Sequence, residues 1–158
     1  LTKMKEIKSE LDKAYGDDAS KLELAKLDLS TEKITECEVY VGSAIGGVLN
    51  GFTKGVLNKE TANNVWLSFS ATGLTLKHIE NNINLDKNLQ SKLGDMYLKQ
   101  MPLMDMNNQI LPVATNCVNY FKPLTLALIK EKKIDVEFLK TQHNFLIGRR
   151  NSPVLTFH

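Results

Sequence analysis

The stretch that most constrains this chain runs from Cys37 to Leu57, CEVYVGSAIGGVLNGFTKGVL. It is the longest apolar run of low charge in the sequence. Wound into an α-helix, it sets Ile34, Cys37, Val41, Ile45, Val48, Phe52 and Val56 on one stripe. A second line, Ser43, Gly47, Gly51 and Gly55, repeats every four residues. One face is greasy and another is almost bare backbone. Each interior glycine costs about 1 kcal/mol against alanine in a helix. A helix that keeps several therefore serves close approach by a neighbour. Gly47, Gly51 and Gly55 are expected to line a close helix–helix contact in the middle of the fold.

The flanking sequence supplies partners for this helix. Residues 1–15 place Met4, Ile7, Leu11 and Ala14/Tyr15 on one face, and Gly16 follows as a stop. Asp17, Asp18 or Ser20 caps a short second helix with Leu22, Ala25 and Leu29 on one side. Ser30 or Thr31 caps the glycine-rich helix, with Glu32 in its first turn. Residues 58–64 read as a connection, and a new helix starts around Thr61. It runs to about Asn82, with Ala62, Trp66, Phe69, Leu76 and Ile79 on its apolar face. Asp86 caps the next helix, which carries Leu89, Leu93, Tyr97 and Met101 and ends at Pro102. Another begins near residues 109–111 with Pro112 in its first turn, and carries Ala114, Cys117, Val118 and Phe121. Pro123 is expected to break it before a further segment at 124–132. Asp135 caps a last helix bearing Phe138, Leu139, Phe145 and Leu146, which Gly148 closes ahead of an extended tail. No alternating run with a hairpin turn argues for strand. The expectation is an all-α fold in a single domain, residues 1–158: an irregular bundle of about seven helices around a central Gly-rich helix.

Charge excludes several classes of partner. The formal net charge of +2 is too small to imply a nucleic-acid or membrane-surface partner. The two ends differ. Residues 1–38 carry 7 Lys/Arg against 10 Asp/Glu, whereas residues 122–158 carry 7 against 3. They read as solvated faces that lie against each other. Residues 39–57 are interrupted by Asn50, Thr53 and Lys54 and fall short of the roughly 20 apolar residues a membrane span needs. No stable membrane insertion is expected. The chain opens on Leu1, which reads as a processed start.

Chemistry-bearing residues do not converge. His78, His143 and His158 lie far apart in sequence and show no metal-ligand spacing. Glu36 and Glu38 flank Cys37 and disfavour a thiolate there, and Cys117 lies among Val113, Ala114 and Val118. The glycines of residues 42–55 lack both the GxGxxG order and the GK[ST] ending of phosphate loops. Arg149 and Arg150, with Lys130, Lys132 and Lys133 upstream, read as a solvated end. The reading is a non-enzyme without metal or cofactor. The two cysteines stand 80 positions apart, a spacing that leaves two buried thiols and one disulfide both open. A bond across such a loop would stabilise by about 4.5 kcal/mol.

Three segments resemble a known family. Cys37-x-x-Tyr40-Val41-x-Ser43, followed by Gly47-Val48, resembles the CxxYxxG-type helix of the Tai-like periplasmic immunity proteins of type VI secretion. Asn88-Leu89-Gln90, leading to Tyr97-Leu98-Lys99-Gln100-Met101-Pro102, resembles that family's helix end. Residues 110–117, ILPVATNC, are similar to its final, cysteine-terminated helix. Ser43 stands where the family usually has Gly, and about forty residues follow Cys117. The resemblance implies a small, exported, non-catalytic helical protein that binds and inhibits a cell-wall-degrading toxin. It also implies a Cys37–Cys117 disulfide in an oxidising compartment.

Other readings compete with that one. The chain reads alternatively as a carrier of an apolar ligand lined by Trp66, Phe69, Met96, Met101, Met104 and Met106. A membrane-active protein exposing the small-residue line is a further reading, as is an enzyme. A homodimer is open under any of these.

Overall fold

The computed structural model describes residues 19–55 and 58–140, with Phe52 and Thr53 described by their backbone alone. The described residues form helices and no strand. They are α1 (Ala19–Ala25), α2 (Thr31–Thr53), α3 (Lys59–Asn82), α4 (Lys87–Gln100) and α5 (Leu111–Lys130). A 3-10 turn at Met101–Leu103 and a π-turn at Met106–Ile110 join α4 to α5, and residues 136–140 are again helical. The expected helices over 1–15 and beyond residue 140 lie outside the described residues.

The helices start where side chains satisfy their first N–H groups. Ser30 Oγ accepts from Lys33 N at 3.2 Å, which settles the Ser30/Thr31 alternative for α2. Asn58 Oδ1 accepts from Thr61 N at 2.8 Å, so α3 starts two residues ahead of the expected Thr61. Asp86 caps α4 through Leu89 N at 3.0 Å. Asp135 accepts from Phe138 N, also at 3.0 Å, and opens the final helical stretch.

The break expected at Pro123 is absent: α5 runs through it to Lys130. Proline withholds the N–H that would bond the carbonyl of Asn119, at a cost of about 3 kcal/mol in a free helix. Here Phe121, Leu124 and Leu128 on the same helix are completely buried. Burying each such side chain contributes about 1.5–3 kcal/mol, which outweighs the lost bond. The two helices read on either side of Pro123 are therefore one.

Helix α2 packs against α3, α4, α5 and the π-turn, and α3 and α1 also pack on α5. The core gathers Ile34, Cys37 and Val41 from α2, Leu76 and Ile79 from α3, and Phe121 from α5. One polar bond crosses it: Thr75 Oγ1 and Thr125 Oγ1 are 2.7 Å apart. Each hydroxyl also stands within hydrogen-bond reach of a carbonyl one turn back, Ala71 and Phe121 respectively, so that one threonine donates across the core while the other donates to its own carbonyl. These hydroxyls are therefore satisfied without water. Helix α1 is held to the end of α5 by Ser20 N donating to Glu131 Oε1 at 3.0 Å.

Helix α4 is different in kind. None of its residues is buried. Leu89, Leu93 and Tyr97 are half-buried, and Tyr97 meets Tyr40 of α2 edge-to-face at 6.0 Å between ring centroids. Its attachment to the bundle is one-sided.

Candidate functional site

Cys37 of α2 and Cys117 of α5 are joined by a disulfide, with their Cα atoms 5.7 Å apart. Both lie in the core, at 0% and 1% exposure. Each occupies the apolar face of its own helix, as the periodicity required, and helix packing brings the two faces together. Bonds of this kind persist in oxidising compartments.

The three glycines singled out from the sequence do not act together. A Cβ built on Gly47 would stand 2.6 Å from Cε of Met106, so this glycine does accept a close neighbour. That neighbour is a methionine side chain from the π-turn, where a helix backbone was expected. Asp105 sets up the turn: its carboxylate accepts from Asn107 N at 3.2 Å and from Asn108 Nδ2. Its own N–H donates to Gln109 Oε1 at 2.6 Å. Gly51 lies half-exposed in the last turn of α2. Gly55 is a correction. The helix ends at Thr53, and Gly55 follows at φ 76° with nothing within 4 Å of its Cβ position. Its use is the left-handed backbone beyond a helix end, which glycine adopts without strain.

A polar joint sits where α2, α3 and α4 meet. Gln90 Nε2 of α4 donates to Glu38 Oε1 of α2 at 3.4 Å and to Glu80 Oε1 of α3 at 3.3 Å. Lys87 Nζ lies 3.5 Å from the same Glu80 oxygen. Burial pushes the Glu38 carboxyl up to about 7, and the neighbouring Glu80 charge adds to the rise. Lys77, Lys87 and the Gln90 bond pull the other way without cancelling it. The Tyr97 phenol is raised too, by burial first and then by Glu36. The sequence reading passed over this joint. Glu38 stands four residues after Ile34 and three before Val41, both fully buried, and that spacing alone sets it at the rim of the buried stripe. Its partners, 42 and 52 positions away, leave no such local mark.

A half-open cavity of about 340 Å³ lies between α3, α5 and the stretch at 136–140. Leu67, Ala71, Val118, Leu126, Ile129 and Leu139 form its apolar walls. Ser68, Thr72, Asn119, Lys122 and Thr125 supply the polar groups. None of the residues expected to line an apolar pocket is among them. Trp66 and Phe69 are buried in the core, Met101, Met104 and Met106 are half-buried elsewhere, and Met96 is exposed.

Among the described residues no group of three His, Cys, Asp or Glu side chains is placed to hold a metal ion. His78 is half-buried on α3, and His143 and His158 lie outside the described residues. No described helix is long and apolar enough to cross a membrane. Compared with known proteins, the chain matches no family model, no curated protein and no solved structure.

Proposed function

We propose that this chain is a non-catalytic helical binding protein whose partner is another protein. In the specific form of the proposal it is a periplasmic immunity protein that binds and inhibits a cell-wall-degrading toxin. The observation that carries the reading is the Cys37–Cys117 bond. It joins the two cysteines that the resemblance to the Tai-like immunity proteins pairs. It also ties together two helices far apart in sequence. A bundle fixed in this way loses little conformational freedom on binding, which favours tight association.

The test uses the full chain with its disulfide intact and a purified type VI peptidoglycan amidase of the class those immunity proteins neutralise. The expected result is co-elution as a defined complex and stoichiometric loss of peptidoglycan hydrolysis. Sedimentation of the same samples reads whether the chain enters the complex as one copy or two. Full hydrolysis with no complex, against amidases drawn from each branch of that class, overturns the toxin assignment.

A further inference from the structure

Helix α4 is fastened to the bundle by few groups, and one fastening is a pair of carboxyl groups. Gln90 offers a single amide nitrogen to Glu38 Oε1 at 3.4 Å and to Glu80 Oε1 at 3.3 Å. Acidic side chains from two different helices thus meet at one donor of a third. The charged groups facing Glu38 are Glu80 and Lys77 from α3 and Lys87 from α4. Lys87 is itself paired with Glu80 at 3.5 Å. The rest of the α4 contact is thin. No residue of α4 is buried. Asp86 N donates to Thr31 Oγ1 at 3.2 Å ahead of its first turn, and Tyr97 meets Tyr40 edge-to-face near its end. Between those points Gly94 lies over Thr35: a Cβ built on Gly94 would stand 4.0 Å from Thr35 Cγ2. Thr35 is 3% exposed, and its hydroxyl has no hydrogen-bond partner among the described residues. A buried hydroxyl left unpaired disfavours the packed state that buries it. Helix α4 therefore docks over two polar groups, Thr35 and Glu38, that would each be better solvated with the helix lifted.

We propose that α4 is a pH-released latch: ionisation of Glu38 favours a state in which α4 lifts from α2 and α3 and bares the flank of α2 that carries Thr35 and Glu38. The joint supplies the geometry. With a proton on Glu38, Gln90 bridges one neutral and one charged carboxyl group. Without it, two like charges flank one donor, and the helix packed on Glu38 keeps water from it. Lifting α4 admits water and relieves that burial, which is the larger cause of the raised carboxyl; the Glu80 charge stays, since it belongs to α3. Losing Lys87 and the Gln90 bond works against release, and these are the smaller influences. The docked carboxyl titrates at about 7 and the lifted one nearer its usual 4.5. Docking is therefore firmest below about 4.5 and weakens as pH rises through about 7. An element with few buried contacts sits at the low-stability end of a fold, where local opening precedes global unfolding. The inference goes beyond toxin binding and does not depend on it.

The test is amide hydrogen exchange of the full, disulfide-intact chain at pH 6 and pH 8, each without and with low urea, the rates corrected for the intrinsic pH dependence of exchange. The amides of α4 should exchange through a local opening that low urea hardly accelerates, whereas the buried amides of α5 should exchange through urea-dependent global unfolding. Protection in α4 should fall several-fold from pH 6 to pH 8. Glu38→Gln keeps the shape of the side chain without its charge, and should make α4 protection equal at both pH values. Glu80→Gln should leave a reduced fall, because the burial of Glu38 remains. Thermal unfolding checks that each variant folds; if Glu38→Gln does not, the wild-type urea and pH profiles decide. Exchange in α4 that follows the urea dependence of α5, wild-type α4 protection that is level from pH 6 to pH 8, or a fall that survives in Glu38→Gln overturns the proposal.

Discussion

At the scale of single residues, Glu38 and Gly47 show what burial does to one group. The Glu38 carboxyl titrates near 7 in the folded chain, against its usual 4.5. Between those values the folded state holds a proton that the unfolded state has released. The stabilisation is therefore complete below about 4.5 and is lost as pH rises through about 7. Glu38 is only half-buried, so solvent screening reduces the effect to about 1 kcal/mol. Glu38→Gln should remove this slope: relative to wild type it gains about 1 kcal/mol on going from pH 5 to pH 8, read by urea unfolding. An identical difference at both pH values would take Glu38 out of the account. Gly47 sets a steric test. An alanine there presses on the mobile end of Met106, which can swing aside, and gains about 1 kcal/mol of helix propensity. Gly47→Ala should therefore stay within about 1 kcal/mol of wild type. Gly47→Leu reaches past the methionine tip and should cost about 1–3 kcal/mol in the same measurement.

Among the elements, α5 and α4 stand at opposite ends of the packing scale. Helix α5 buries seven residues and tolerates a proline in its interior. Pro123 itself is exposed, so its ring makes no packing contribution in the core. Pro123→Ala should restore the N–H bond to the Asn119 carbonyl and raise the thermal midpoint, by the equivalent of about 1–3 kcal/mol. A lower midpoint would mean that the proline shapes α5 in a way the fold needs. Helix α4 buries none of its residues and leans on α2 through half-buried side chains and the Gln90 joint. Its docking is therefore the part of the fold most open to the charge state of Glu38.

For the molecule as a whole, the disulfide is the largest single constraint. It closes a loop of 80 positions that contains all of α3 and α4. Loop-closure entropy puts its contribution at about 4.5 kcal/mol, acting through the unfolded chain. That is a large share of the roughly 5–15 kcal/mol by which domains of this kind are stable. Thermal unfolding with and without reductant should show a large drop in midpoint on reduction. The double variant Cys37→Ala, Cys117→Ala should fall at least as far, because it also loses two buried side chains. An unchanged midpoint in reductant, with both thiols shown to be free, would assign the stability to packing alone.

The sequence by itself determined the helical class, most helix starts and the buried stripe of α2. Those are local properties: a period of three to four residues and a capping side chain act within one or two turns. Ser30, Asp86 and Asp135 cap where their positions ahead of the apolar runs put them, whereas Asn58 caps α3 inside a stretch that reads locally as a connection. It also placed both cysteines on inward faces, while spacing left their bonding open. Three matters belonged to tertiary structure alone. Proline 123 stays within α5 because a distant core holds the helix together. Gly47 meets a methionine from the π-turn instead of a helix, because the turn after α4 delivers Met106 to that spot. Glu38, Glu80 and Gln90 converge, and the α3–α5 cavity opens, only once helices dozens of residues apart are docked. Local periodicity fixes which face of a helix turns inward; which neighbour it meets there depends on the simultaneous packing of every other helix.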